Sequence, residues 1–322
     1  MDNIIVTGGA GYIGYSTVEA LAKKYPKSKV IFFDNFSKGK LERIGTLLEL
    51  YSNIVIVPWE RADIRDTVNF ITILAEYKPT VVVHLAAIVD AFTTNRKGKD
   101  LECTIVNHEA AVQIARVSKE HGVRVFVYQS TVSMYSQGFE IDENSPKEPL
   151  SVYGRAKYDA EKEILVLADT SFKTCALRSA TLVGFNPAFR YETIINLLCV
   201  RAVYGVESTL FKSALDSKKS YLHLSDEVHA IQFAIEHSEE MNGQAYNIKS
   251  FDTDLNSVVV LIEKEFGVFP YRITDEKKIS QQVYTVSSKK IELLGFKVLG
   301  NLETTVKETM SGLLSQKNHI RQ

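Results

Sequence analysis

Tyr153 and Lys157 stand four residues apart in the run Tyr-Gly-Arg-Ala-Lys. On a helix that spacing puts both side chains on one face. A nearby ammonium, with any positively charged ring beside it, favours phenolate over phenol. That lowers the Tyr153 pKa and makes the phenol an acid/base for a carbinol proton. The pair alone is weak evidence, because surface helices produce it by chance. Its setting adds weight: it follows Pro146 and Pro149 and lies beyond an apolar run at 124–128 that continues into Gln129-Ser130-Thr131. A hydroxyl at the carboxyl end of a strand points into the crevice where parallel sheets bind ligands. Thr131 or Ser130 is therefore expected to hydrogen-bond the oxygen that Tyr153 serves.

A second constellation lies near the start of the chain. Gly8, Gly11 and Gly14 are spaced G-x-x-G-x-x-G directly after the apolar run at 3–7, and a helical pattern begins at residue 11. A helix start presents free N–H groups and the positive end of its dipole, which suits a pyrophosphate. Glycine is required where a β-carbon would block the turn or the phosphate. Asp34 ends the next apolar run, twenty residues after Gly14. A carboxylate there accepts from both ribose hydroxyls and repels a 2′-phosphate, so NAD is expected over NADP.

The elements that must position these residues alternate. Apolar runs at 3–7, 29–33, 53–57, 80–85, 124–128 and 173–177 read as strands. Amphipathic stretches at 11–24, 40–51, 67–77 and 107–120 read as helices. The pattern predicts an α/β fold: a doubly wound, Rossmann-like parallel sheet covered on both faces. After about residue 180 the alternation weakens, and helices are predicted at 192–204, 225–238, 255–266 and 301–315. The expected division is a nucleotide-binding domain over 1–180, rejoined by segments near 220–250, and a smaller α/β substrate domain over 181–322.

Composition narrows the function. The 322 residues carry 38 Lys+Arg against 39 Asp+Glu, a balance that argues against nucleic-acid binding. No stretch approaches the roughly 18 apolar residues of a membrane span, and the start lacks the pattern of a signal peptide. Cys103, Cys175 and Cys199 lie far apart. They are expected to be free thiols in a reducing, cytoplasmic setting, with no metal site. His84 is expected to be a packed residue whose ring satisfies neighbouring backbone.

Further motifs give the chain a resemblance that spans nearly its whole length. It resembles the NAD-dependent epimerase/dehydratase family, the extended short-chain dehydrogenases that act largely on nucleotide sugars. Besides the glycine loop at 7–14 and the Tyr153/Lys157 pair, Asp34-Asn35 looks like the family's "DN". Asp63-Ile64-Arg65 looks like "D-[IL]-R", and His84-Leu85-Ala86-Ala87 like "H-L-A-A". Leu177-Arg178, the segment 221–228 (YLHLSDEV, against "[FY]-I-H-V-x-D-[VL]-A") and Tyr246-Asn247-Ile248 match later motifs.

The resemblance implies an NAD site formed by Gly8, Gly11, Tyr12, Ile13, Gly14, Asp34, Asn35, Ser37, Lys38, Asp63, Ile64, Leu85, Ala86, Ala87, Asn107, Ser130, Tyr153 and Lys157. It implies catalysis by Thr131, Tyr153 and Lys157. The substrate is expected to meet Val89, Thr131, Tyr153, Thr181 and Lys219. Val132 and Ser133 replace the acidic residues that dehydratases and decarboxylases of the family carry after Thr131, so elimination of water is not expected unless Asp90 or Glu192 supplies the acid and base. Thr181 replaces an asparagine of the family. The expected activity is nucleotide-sugar 4-epimerisation. The alternatives are net oxidation or reduction of a secondary alcohol or keto sugar, and a non-catalytic NAD-binding regulator. A homodimer is expected through helices at 107–120 and 153–168, whose apolar residues on more than one face suggest a second buried surface.

Overall fold

The computed structural model describes residues 3–89, 97–136, 138–275 and 284–320. Its centre is a seven-stranded, wholly parallel sheet. The strands are β1 (Ile4–Thr7), β2 (Val30–Phe33), β3 (Ile54–Ile56), β4 (Val81–His84), β5 (Val125–Thr131), β7 (Lys173–Ser179) and β11 (Gln244–Ile248). Their order is β11-β7-β5-β4-β1-β2-β3. β6 (Gly138–Ile141), β8 (Thr181–Val183), β9 (Ser208–Phe211), β10 (Lys219–His223), β12 (Phe251–Thr253), β13 (Tyr271–Thr274) and β14 (Tyr284–Val286) form three smaller sheets. Strand order reverses between β1 and β4, and ligands of such sheets bind in the crevice beyond the carboxyl ends at that point.

The described helices are α1 (Tyr12–Lys24), α2 (Gly45–Leu50), α3 (Thr67–Tyr77), α4 (Lys97–Thr104), α5 (Ala111–Glu120), α6 (Val152–Leu165), α7 (Ile194–Tyr204), α8 (Lys212–Leu215), α9 (Leu224–Glu236), α10 (Leu255–Phe266), α11 (Lys289–Glu292) and α12 (Leu302–Ile320). The helix predicted over 40–51 is divided: a 3₁₀ turn at Leu41–Ile44 precedes α2. Gly45 at the junction is a weak helix former. The helix predicted from 107 starts earlier, as α4, and reaches α5 through a π-turn at Ile105–Ala110. Such turns admit an extra residue and re-aim side chains, here Asn107.

The strands of the main sheet are buried on both faces, as continuous apolar runs demand. One face packs on α1 and α9, the other on α3, α5 and α6. A separate core joins α7, α10 and α12. The chain returns to the first core twice. β11 and α9 do so within residues 224–248, and Tyr284, Val286, Ile291 and Phe296 do so again.

The apolar surplus expected for pairing is used inside the subunit. Val112, Ile114, Ala115, Val117 and Ile164 are buried against the sheet, with Leu165 and Leu167 packed beside them. Val166 is exposed, but the outer faces otherwise present Glu109, Gln113, Arg116, Arg155 and Lys162. Glu163 ties α6 to His108 and Arg116, at 2.7 and 3.0 Å. The apolar argument for a dimer therefore does not hold. No described helix is long and apolar enough to cross a membrane.

Candidate active site

The glycine loop is shaped by close approach. Gly8 adopts a φ of +72°, and a β-carbon there would stand 2.7 Å from the Ala86 backbone nitrogen; one on Gly14 would stand 2.0 Å from the Gly8 carbonyl oxygen. Either contact is repulsive, so the loop tolerates no side chain at these positions. Gly11 begins α1 without a side-chain cap, so the first N–H groups of the helix stay free for an anion. Tyr12 does not turn to the loop. Its hydroxyl donates to the Gly184 carbonyl at 2.5 Å, and burial raises its pKa. Asn186 donates to the Tyr12 carbonyl at 2.8 Å and to Ser16 at 2.9 Å. Ile13 packs on the core beneath.

Asp34 occupies the carboxyl end of β2 as expected, with a further task. Its carboxylate accepts from Ala10 N at 2.9 Å and Phe36 N at 2.7 Å, so it also holds the glycine loop. Each oxygen retains lone pairs for a ribose. Asn35 donates to Asp63 at 3.0 Å. Arg65 grips the same carboxylate and holds its pKa down at about 2. Ile64 is buried, while Ser37 and Lys38 are exposed at the loop's outer side.

Across the switch point, Leu85 N donates to Thr7 O at 3.1 Å, and Ala86 and Ala87 line the half-buried strand exit. Asn107 braces this exit: its amide accepts from Ile88 N and donates to Ile88 O, both at 2.8 Å, and reaches Cys103 Sγ at 3.1 Å. His84 Nδ1 meets Thr7 Oγ1 at 3.0 Å, and the ring stacks on Phe126 and Tyr128. Its partner is thus a side chain, not the expected backbone. Burial pushes its pKa down to about 3, so it is neutral.

The N-terminus of α6 is fixed by Ser151, whose hydroxyl accepts from Gly154 N at 3.0 Å, an N-cap of the usual kind. A β-carbon at Gly154 would lie 2.5 Å from Ser133 O, so this glycine lets the helix start press against the loop that follows β5. Tyr153 and Lys157 then share one face. The Tyr153 phenol has Thr131, Cys103 and Arg190 as electrostatic neighbours. Lys157 is 1% exposed. Its Nζ has no hydrogen-bond partner among the described residues and lies 4.1 Å from the Tyr128 ring centroid.

The expected lowering of the Tyr153 pKa is not found. Burial raises it, against opposing influences from Arg190 and the Thr131 hydroxyl. Burial also drives Lys157 down to about 7, with Glu161 pulling the other way. An ammonium that is itself disfavoured gives the phenol little help, and the positive ring invoked for a cofactor belongs to the bound state. Ser130 is also corrected. Its hydroxyl donates to Glu161 Oε2 at 2.6 Å, on the opposite side of β5 from Thr131, as strand alternation requires.

Glu161 opens a network that the spacing argument missed. Arg178 donates to it at 2.6 and 3.0 Å, and also to Tyr135 OH at 2.8 Å. Tyr135 in turn donates to Asn247 Oδ1 at 2.9 Å. This ion pair is buried, so each charge depends on the other. The signal was present: Glu161 continues the face of Tyr153 and Lys157 by one more turn. Arg190 was missed as well; it precedes α7 and has Glu192 at 3.7 Å.

The expected substrate contacts lie on separate elements. Val89 is exposed a few residues beyond β4. Thr181 starts β8, beside Tyr221. Lys219 lies 5.7 Å from the Tyr284 ring centroid, its pKa lowered by burial. Val132 is buried in the core, and Ser133 interacts with the Tyr284 hydroxyl. Asp90 lies outside the described residues. Cys103, Cys175 and Cys199 are buried and form no disulfide, and no His/Cys/Asp/Glu cluster among the described residues has metal-ligand geometry.

Residues 4–248 match the family model described as "NAD dependent epimerase/dehydratase family". A UDP-glucose 4-epimerase of Rhizobium leguminosarum bv. trifolii is 32% identical over 195 residues, 58% of this chain and 52% of the relative. The chain thus spans about half the length of that relative. A dTDP-D-glucose 4,6-dehydratase of Mus musculus is 27% identical over 325 residues, 95% of this chain and 87% of that one. The crystal structure of a Thermotoga maritima UDP-glucose 4-epimerase with UDP-glucose superposes with a TM-score of 0.83 at 24% identity, covering 98% of this chain and 100% of that one. At that identity the likeness is one of fold.

Proposed function

Since the chain belongs to the NAD-dependent epimerase/dehydratase family, we propose that it is a nucleotide-sugar 4-epimerase that works through a transient 4-keto sugar. The observation that carries this reading is the meeting of Tyr153, Thr131 and a buried, unpartnered Lys157 beside the glycine-loop crevice.

The residues present fit NAD. The uncapped start of α1 suits its pyrophosphate, and the spare lone pairs of Asp34 suit its adenosine ribose. Lys157 Nζ is a donor lacking an acceptor, and the hydroxyls of a nicotinamide ribose would supply one. When bound, NAD supplies the acceptor that takes the C4 hydride and gives it back. In this reading Thr131 hydrogen-bonds the substrate O4 and holds it against the Tyr153 phenol. Tyr153 as phenolate removes the O4 proton and later returns it. Lys157, re-protonated once it has acceptors, lowers the Tyr153 pKa toward the working range. Lys219 and Thr181 line the side from which the nucleotide diphosphate and sugar enter.

Epimerisation is favoured over dehydration by what surrounds the phenol. Its leading electrostatic neighbours are Arg190, Thr131 and Cys103, none of them a carboxylate. Glu161 is spent on Arg178 and Ser130, and Glu192 lies beside Arg190. Elimination needs an acid and a base beyond the tyrosine. The test is a panel of nucleotide sugars assayed for the 4-epimer, for 4-keto-6-deoxy product and for NADH released at 340 nm. Epimer without free NADH is expected. A dehydrated product, or NADH in amounts matching substrate, overturns the proposal. Three buried cysteines without a disulfide are in keeping with a reducing, cytoplasmic location.

A further inference from the structure

Glu227 lies on α9 and is wholly buried. In the motif it belongs to, the family pattern has Val or Leu at this position. Its partners are Ser179 at the end of β7 and Gln129 on β5. The Ser179 hydroxyl donates to Glu227 Oε2 at 2.6 Å and accepts from Gln129 Nε2 at 2.7 Å. Ser179 is the sheet partner of Thr131, and Gln129 lies two residues before it on the same strand. Gln129, Thr131 and Ser179 therefore face the same side of the sheet, the side that α9 covers.

The hydrogen-bond count of this cluster is incomplete in one sense only. Gln129 Oε1 and Glu227 Oε1 are buried acceptors without partners among the described residues. The donors are spent: the remaining Gln129 N–H points to Ser130 O at 3.4 Å. Two stranded acceptors and no stranded donor mark a missing proton, which a neutral Glu227 supplies. Glu161, across the sheet, is the opposite case, an ionised carboxylate held by Arg178.

The surroundings agree. Arg178 faces away from Glu227, toward Glu161. On α9 itself Asp226 is taken by Ser250, Leu299 N and Gly300 N, and just before the helix His223 is taken by Ser225 and Glu308. On α1, Lys24 pairs with Glu236 at the far end of α9, and Glu19 and Lys23 belong to the same helix. On β10, Lys219 lies over Tyr284. None of these charges governs Glu227: burial raises its pKa to about 7, opposed only by neutral Ser179 and Gln129.

We propose that Glu227, as a neutral acid, is a positioning residue of the candidate active site, acting through Ser179 and Gln129 on the strand ends that carry Thr131. Its protonated carboxyl ties α9 to β5 and β7 directly behind Thr131. Ionisation puts an unpaired charge there and loosens the tie. The inference rests on the assignment of Thr131 and Tyr153 to the reacting centre.

The test uses full-length protein carrying ¹³Cζ-labelled tyrosine, with the Tyr153 resonance identified from Tyr153→Phe. At about pH 6 the resonance should coincide in wild type and Glu227→Gln and be displaced in Glu227→Leu. Raising the pH to about 8 should displace it further in wild type than in Glu227→Gln, where Lys157 still titrates but position 227 cannot ionise. With a turned-over nucleotide sugar, Glu227→Leu should lose about 5- to 10-fold in kcat with little change in KM, the scale of one lost hydrogen bond. Glu227→Gln should restore most of it. If Glu227→Leu does not fold, Ser179→Ala carries the same expectations. A Tyr153 resonance that Glu227→Leu leaves in place, or a pH response in Glu227→Gln as large as that of wild type, overturns the proposal. The expected NMR behaviour without turnover on any nucleotide sugar would instead sink the epimerase reading and leave the positioning role standing.

Discussion

Lys157→Met should make the NAD-free protein more stable and the enzyme inactive. The ammonium is 1% exposed and lacks an acceptor among the described residues, and burial brings its pKa from 10.5 to about 7. Each unit corresponds to about 1.4 kcal/mol, so at pH 7 the folded state bears a penalty on the order of 4 kcal/mol. Contact with the Tyr128 face returns about 1–2 kcal/mol of it. Methionine has similar length, needs no hydrogen bond, and should gain about 2–3 kcal/mol. The sign with pH follows from the direction of the shift. The unfolded chain holds the lysine proton up to its ordinary pKa, whereas the folded chain releases it near 7. The wild-type penalty is therefore full below about 7 and fades as pH rises toward 10.5, so the advantage of Lys157→Met shrinks over that window. Urea unfolding of NAD-stripped protein at pH 7 and at about pH 9.5 measures both points. Added NAD should stabilise wild type more than the variant, because only Nζ can take the new acceptors. A variant less stable than wild type at pH 7 would refute the account of a stranded ammonium.

Tyr153→Phe should keep the fold and NAD binding while turnover falls by several orders of magnitude, measured by epimer formation; near wild-type rates would assign the proton transfer elsewhere. Asp34→Ala with Asn35→Arg should shift preference toward NADP, and should also weaken binding of either cofactor, because Asp34 holds Ala10 N and Phe36 N; titration by NADPH fluorescence reads both. Gly154→Ala should lose activity out of proportion to helix propensity, since the added carbon meets Ser133 O at 2.5 Å; wild-type kinetics would show that the loop yields freely. A homodimer is expected by family analogy, and light scattering at micromolar concentration tests it, a monodisperse monomer removing it.

What could be read from the sequence was local. The glycine loop, Asp34 and the Tyr153/Lys157 face depend on spacings within one strand–helix unit, and each stands on the element its spacing implies. The polar networks were not legible, because their members are distant in the chain: Arg178 is 43 residues from Tyr135, and Tyr135 is 112 from Asn247. Sequence motifs marked Arg178 and Asn247 without saying that they meet through Tyr135. Ser130 and Thr131 were interchangeable by type, and only strand alternation turned one toward Glu161 and the other toward Tyr153. The titration of Lys157 and Tyr153 was misjudged for a related reason. A pair of neighbours suggests attraction, but the dominant influence on each is burial, which spacing does not report.

The second return of the chain to the first core bears on how the protein is made. Tyr284, Val286, Ile291 and Phe296 are integral to the packing around β1, β5 and α9, and β14 completes a ladder with β6. During synthesis the glycine loop and the tyrosine helix emerge long before these residues exist. The nucleotide-binding half must wait with an open seam until residues 284–296 leave the ribosome. A nascent chain in that interval presents apolar surface, a natural client for chaperones, and cutting the gene at the apparent domain junction should give an insoluble first half.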